Sequence, residues 1–145
     1  MIAQESSGDK EKTSANFKIR WGWIKFMYVF TILAAGGFGL GAVFFPDTLI
    51  SAMRMPGQDP IILGVLGSVY IACGILAVLG LRSPLKFVPL LLLQLFYKVI
   101  WFGGVLLPLL FSGPLPWYGM VFSILFAAFI IGDLIAIPFR YVFAR

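Results

Sequence analysis

Residues 87–107 read FVPLLLLQLFYKVIWFGGVLL, an apolar run interrupted by Gln94 and Lys98. A helix of about 20 apolar residues crosses the roughly 30 Å of hydrocarbon in a bilayer. A charge in hydrocarbon costs about 3 kcal/mol on insertion scales, so it rarely stays there without a partner. This run therefore predicts a membrane-spanning helix that carries an internal polar site.

The rest of the chain contains further runs of this kind. The predicted spans cover about residues 26–45, 61–81, 87–111 and 117–139. Of 145 residues, 61% are hydrophobic and 12% are charged, and the mean hydropathy is +1.00. A soluble domain of this size cannot bury so much apolar surface. The sequence therefore predicts an all-α, polytopic membrane protein whose first partner is the lipid bilayer.

Short links join the predicted spans, which makes consecutive helices antiparallel neighbours. The second link reads RSPLK (residues 82–86) and the third reads SGPLP (residues 112–116). Residues 21–145 are therefore predicted to form an up-down-up-down bundle of four transmembrane helices. Residues 1–20 are mostly polar, mixed in charge and without the apolar core of a signal peptide, which predicts a flexible cytosolic N-terminal tail.

The basic residues indicate how the bundle is oriented. Arg54 is the basic residue in the first link, where Asp47 and Asp59 also lie. The positive-inside rule places the basic side in the cytoplasm, and both termini with it. The basic residues of that side are Lys10, Lys12, Lys18, Arg20, Lys25, Arg82, Lys86, Arg140 and Arg145.

Composition also argues against several classes of function. The chain has no histidine and a single cysteine, Cys73, which excludes a histidine-ligated haem or zinc site and a dithiol pair. Carboxylates are few, so we expect no metal and no cofactor. The net charge of +5 comes from residues beside the spans, so it does not indicate a nucleic-acid partner.

Gln94, Tyr97, Lys98 and Trp101 form the candidate site in the third span. Their spacing of i, i+3, i+4 and i+7 places them on one stripe of a helix. In a membrane such a stripe faces protein or a water-filled cavity. The amide, hydroxyl and indole groups of the stripe can all form hydrogen bonds.

Asp133 in the fourth span is the predicted partner of Lys98. Side chains on antiparallel helices lean toward each other, so a buried ion pair is plausible. Three interpretations remain open: a structural pair that fixes helix register, a site for a polar or anionic headgroup, and a proton-coupled pair that breaks when Asp133 is protonated.

Small residues recur at four-residue spacing in three spans, which lets helix backbones approach closely. They serve either packing within the bundle or a homo-oligomer interface. These predicted packing residues are Gly37 and Gly41, Gly64 and Ser68, and Gly119 and Ser123.

The layout of residues 37–138 resembles the DoxX-like group of small four-span bacterial membrane proteins. The resemblance rests on Pro46 after the first span, the segment GVLGSVYIACG, the turn LRSPLK and the pair Gly132 and Asp133. It implies a location in the bacterial inner membrane and, as for some members, a role as a subunit of a larger membrane complex. It assigns no functional residue.

These observations favour a small, non-enzymatic membrane subunit or a module that binds a lipid-like ligand at an internal Lys98/Asp133 site. The first alternative is a proton-coupled small transporter. The second alternative is a membrane enzyme that acts on a lipid or a quinone, with the same two residues as acid and base.

Overall fold

The computed structural model describes residues 19–144. Within that range four helices are long and apolar enough to cross a membrane, and no strand occurs. The predicted all-α fold with four membrane-crossing helices is therefore confirmed. Most of the predicted N-terminal tail, residues 1–18, lies outside the described residues. The crossing helices are α1 (Trp21–Phe44), α3 (Pro60–Arg82), α4 (Val88–Ser112) and α5 (Trp117–Ala136); the short helices are α2 (Pro46–Met53) and α6 (Phe139–Val142).

Prolines and one aspartate set the helix ends. Asp59 caps α3, because its Oδ1 accepts hydrogen bonds from the backbone N–H groups of Ile61 and Ile62 at 2.9 and 3.0 Å. Helix α5 ends at Ala136 rather than near residue 139. The reason is Pro138, which disfavours the helical conformation in Ile137, the residue before it; Ile137 is extended at φ −71° and ψ 121°.

A π-helical turn interrupts α4 at Phe102–Leu106, just before Pro108. Proline has no N–H group, and its ring clashes with the carbonyl four residues earlier, here that of Gly104. A wider turn at this point relieves that clash. A second π-helical turn lies in α1 at Ile32–Gly36.

Helix α1 is central, since it packs against both α3 and α5. Its closest approach to α3 depends on glycine. A Cβ on Gly39 would lie 2.7 Å from the carbonyl oxygen of Gly67, and a Cβ on Gly36 would lie 3.8 Å from the Cα of Gly74. The two backbones therefore meet directly at Gly39, where no larger residue fits.

The predicted packing glycines lie in other positions. No other part of the described chain comes within 4 Å of a Cβ placed on Gly37 or Gly64. Gly41 faces a leucine side chain of α2 at 3.4 Å, and Gly119 faces a leucine of the preceding link at 3.0 Å. Ser68 and Ser123 donate hydrogen bonds within their own helices, to the carbonyl groups four residues earlier, at 2.8 and 2.6 Å. A role for these six residues in packing stays a prediction.

Helices α3 and α4 follow each other in the chain but contact each other little, whereas α4 packs against α5. We call the face with residues 46–59 and 113–116 the link side and the opposite face the terminal side. The hydrophobic core fills the terminal side, with Ile24, Met27 and Tyr28 of α1 packed among Val88 and Leu91 of α4. Toward the link side the space between α3 and α4 remains open as a groove.

Candidate functional site

The Lys98 side chain is buried, with only 1% of its surface exposed. Its Nζ donates a hydrogen bond to Tyr97 Oη at 3.0 Å. Three aromatic rings surround the ammonium group, with centroids at 3.9 Å for Phe129, 4.5 Å for Tyr97 and 5.4 Å for Phe126. Each ring presents a face of negative charge, and such cation–π contacts are each worth about 0.5–2 kcal/mol. The cation is therefore held mainly by aromatic side chains.

The predicted ion pair between Lys98 and Asp133 is wrong, since no distance between Nζ and a carboxylate oxygen is 4.0 Å or less. The two groups interact only at longer range. The ammonium group contacts α5 at the rings of Phe126 and Phe129. Asp133 lies a helical turn beyond Phe129, about 6 Å further along the helix.

Asp133 is fully buried, and neither of its carboxylate oxygens accepts a hydrogen bond from residues 19–144. An isolated buried carboxylate costs several kcal/mol when it is ionised. Lys98 is the buried cation of the described chain. The long-range attraction of Lys98 therefore contributes to the stability of Asp133 in the bundle interior.

Gln94, one helical turn before Lys98 in α4, forms a polar contact with α1. It is fully buried, and its Oε1 lies 3.1 Å from the hydroxyl oxygen of Thr31. That hydroxyl oxygen also lies 2.8 Å from the carbonyl oxygen of Met27, and its single proton serves one of the two acceptors at a time. Its Nε2 has no hydrogen-bond partner in the described part of the chain. Thr31 is a polar contact that the sequence reading missed, although a threonine in the middle of a span is itself a signal of an inward-facing position.

The groove between α3 and α4 has a volume of about 1050 Å³ and is closed on one side by α5. This volume is at the upper end of the roughly 300–1,000 Å³ usual for small-molecule sites. Its walls are mainly apolar. The polar side chains among its lining residues are Gln58, Tyr70, Tyr97, Trp101 and Tyr118.

An aromatic layer closes the deep end of the groove. The Phe126 ring makes edge-to-face contacts with Trp101 and Tyr97, at centroid distances of 5.1 and 6.2 Å. Tyr97 also lies beside Tyr70 of α3, at 6.5 Å. Lys98 does not line the groove. The buried cation therefore lies behind this layer and acts on the groove through Tyr97.

The π-helical turn of α4 contributes part of the groove wall through Gly104, Val105 and Leu106. Gly103, the residue before them, does not line the groove. Apart from the adjacent residues and the backbone of the same helix, no atom of residues 19–144 lies within 4 Å of a Cβ placed on either Gly103 or Gly104. A Cβ can therefore be added at either glycine, but only the one at Gly104 lies at a residue that lines the groove.

The structure divides the predicted stripe into two parts. Tyr97 and Trp101 line the groove, whereas Gln94 and Lys98 lie behind it in the core. Residues 19–144 contain no group of three or more side chains suited to hold a metal ion. The sequence reading missed Tyr70, a phenol in the glycine-rich second span, and gave no sign that phenylalanine rings would surround the lysine.

No protein-family model, curated protein or solved structure matches this chain significantly. The resemblance to DoxX-like proteins therefore stays a prediction. The fold and the site define a class: a small multi-pass membrane protein with an apolar groove and a buried cation behind its deep end.

Proposed function

We propose that this small integral membrane protein is a non-enzymatic binding module for a lipid-like ligand, which occupies the groove between α3 and α4. The groove itself carries the proposal, because it is large, apolar and bounded by few polar groups. These are the usual properties of a site for a small apolar molecule.

The lateral opening of the groove supports a ligand that comes from the bilayer. Val69, Leu93 and Ile100 belong to its walls, and they are 50%, 53% and 70% exposed. On helices that cross a membrane, such exposed side chains face lipid chains. A hydrocarbon chain can therefore enter between α3 and α4 without passing through water.

The position of the ionisable groups supports binding rather than chemistry. Lys98 and Asp133 do not line the groove and are both fully buried. Groups that transfer protons to a substrate must come within hydrogen-bond reach of it. We therefore assign Lys98 to the support of Tyr97 and the aromatic layer. Such a module also fits a subunit of a larger membrane complex, as the DoxX-like resemblance implies.

The test is to fill the groove. Gly104→Phe adds a ring at a position that lines the groove, whereas Gly103→Phe adds the same ring one residue earlier, at a position that does not line it; a Cβ at either position meets nothing outside the local helix backbone. Wild-type protein and both variants are purified in mild detergent, and the lipids that remain bound are identified by native mass spectrometry. We expect a bound lipid-like molecule in the wild type and Gly103→Phe, and at least a tenfold loss in Gly104→Phe.

Equal retention in both variants would contradict the proposal. So would a wild-type spectrum that shows another protein chain, or a second copy of this one, whose binding Gly104→Phe abolishes while no lipid is lost. That result would assign the groove to a transmembrane helix of a partner.

A proton-coupled small transporter is the second candidate, favoured by one observation: the buried Asp133 carboxylate accepts no hydrogen bond within residues 19–144. Intramembrane carboxylates often mark proton paths. Liposomes with an entrapped pH-sensitive dye and an imposed pH gradient test this function. Proton flux that Asp133→Asn abolishes supports it, and flux unaffected by that substitution contradicts it.

A further inference from the structure

We propose that the deep end of the groove selects a ligand whose apolar chain ends in a hydrogen-bond-accepting oxygen, which the hydroxyl groups of Tyr97 and Tyr70 bind. This inference rests on the proposed function and adds the chemistry of the ligand's polar end. It also assigns Lys98 as a positioning residue, which acts on the ligand through Tyr97.

The direction of hydrogen bonding at this end is set by Lys98. A lysine ammonium group has three donors and no acceptor. Its Nζ donates to Tyr97 Oη at 3.0 Å. Because that oxygen already accepts a hydrogen bond from Lys98, the single proton of the Tyr97 hydroxyl group is available to donate onward.

Tyr70 extends this arrangement across the groove to α3. Its ring lies beside that of Tyr97, with the two centroids 6.5 Å apart, and both residues line the groove. The hydroxyl group of each residue carries one proton that it can donate. A ligand oxygen at this end of the groove can therefore accept a hydrogen bond from either phenol.

Burial strengthens this donor. Lys98 is 1% exposed and Tyr70 is 8% exposed, so water does not screen the ammonium group from the phenols. Hydrogen bonds in a chain polarise one another in a medium of low dielectric. An oxygen that accepts a hydrogen bond from such a donor is bound more strongly, whereas an ammonium group at the same place has no lone pair with which to accept.

Two kinds of oxygen share this chemistry: a neutral carbonyl, as in an ester, and a carboxylate. Lys98 favours the carboxylate by its charge. Asp133 opposes that charge at longer range, because it interacts with Lys98 without contacting it. Probes that differ only in the end group therefore distinguish binding of a carboxylate from binding of a neutral carbonyl.

The experiment uses full-length protein in nanodiscs of fixed lipid composition, with Trp21, Trp23 and Trp117 replaced by phenylalanine so that Trp101 reports from the groove wall. The probes are hexadecanoic acid, its methyl ester and hexadecane, each brominated at mid-chain. Bromine quenches indole fluorescence at short range. We expect the acid, the ester or both to quench Trp101 at about tenfold lower mole fraction than the hydrocarbon, since one charge-assisted hydrogen bond is worth about that factor.

The matched variants are Tyr70→Phe with Tyr97→Phe, which removes both donors, and Tyr141→Phe, which removes a phenol on α6 outside the groove. We expect the double variant to bind all three probes alike, and Tyr141→Phe to keep the preference. A preference for the acid identifies a carboxylate, and equal binding of acid and ester identifies a carbonyl. Either result supports the inference.

Three outcomes would overturn it. If all three probes quench equally in the wild type, the groove binds chains without selecting an oxygen, and the proposed function stands alone. If the preference survives in the double variant, other donors carry it. If no probe quenches more in the wild type than in Gly104→Phe, the proposed function and this inference both fail. The wild-type comparison of probes needs no variant of the tyrosines, so it decides the question even if the double variant does not fold.

Discussion

Lys98 Nζ lies 3.9 Å from the centre of the Phe129 ring, and Asp133 follows Phe129 in α5 by one helical turn. The cation is therefore held by π-faces and by one phenol oxygen, and its opposite charge lies beyond contact distance. The two charged groups thus have different neighbours, while each still affects the energy of the other.

This arrangement predicts that Lys98 and Asp133 are energetically coupled. Lys98→Met leaves a buried carboxylate with no cation near it, and we expect it to lower the free energy of unfolding by about 3 kcal/mol. The double variant Lys98→Met, Asp133→Leu removes both charges, so we expect it to recover most of that loss. Unfolding of the purified variants in a denaturing-detergent titration measures the coupling. If the loss of stability in the double variant equals the sum of the losses in Lys98→Met and Asp133→Leu, the two groups are independent.

The crossing of α1 and α3 gives a second prediction. Gly39→Ala places a Cβ 2.7 Å from a backbone oxygen of α3, which cannot move like a side chain. We expect a loss of about 1–3 kcal/mol, the usual cost of overpacking. The control is Gly37→Ala, whose Cβ meets nothing within 4 Å in the described chain beyond its neighbours and the backbone of its own helix. The same detergent titration compares them, and equal stability of the two variants would disagree with the structure.

The third prediction concerns Tyr28, which is buried in α1 and whose hydroxyl group donates to the carbonyl of Pro84 at 2.6 Å. This bond ties α1 to the turn between α3 and α4. Tyr28→Phe leaves that carbonyl without the donor, so we expect a loss of about 1 kcal/mol. Tyr118→Phe is the control, because the Tyr118 hydroxyl makes no hydrogen bond with the described residues. Thermal unfolding followed by intrinsic fluorescence checks the difference; an unchanged midpoint for Tyr28→Phe counts against the bond.

The fourth prediction concerns orientation, because the charge pattern predicts that both termini lie in the cytoplasm. In a Cys73→Ala background, Gly57→Cys lies on the link side and Ser6→Cys lies in the N-terminal segment. We expect a membrane-impermeant maleimide added to intact cells to label only Gly57→Cys. Labelling of Ser6→Cys should require permeabilised cells, and its labelling in intact cells would reverse the assigned topology.

Hydrophobic run length and link length were sufficient to predict the fold class. Run length fixes which segments cross the bilayer, and proline positions limit where they end. The sequence reading did not foresee that Pro138 ends α5 early at Ala136, because the run itself continues to Phe139. The groove was also not predictable. A short link predicts that α3 and α4 are adjacent helices. It does not predict whether they pack against each other along their whole length, which also depends on side chains from α5 and α1.

The candidate site was predicted in part. Helical periodicity placed Gln94, Tyr97, Lys98 and Trp101 on one stripe of α4, because spacing determines which residues share a face. It could not show how deep each side chain lies, and so it did not separate the two groove residues from the two core residues. Opposite charges on antiparallel helices suggested a direct contact. Two of the three rings around the ammonium group are phenylalanines, and in a membrane span these are too common to indicate a partner for a cation.

The groove has an exposed wall, formed in part by Val69, Leu93 and Ile100. This wall determines which ligand concentration is relevant to binding, the concentration in the membrane or the concentration in water. Under the proposed function, the ligand is dissolved in the membrane and enters through that wall, so its occupancy follows its mole fraction among the lipids. Diluting a suspension of membranes is then expected to leave the site filled, whereas adding lipid or detergent is expected to empty it. The protein in a cell is expected to respond to the composition of the bilayer around it.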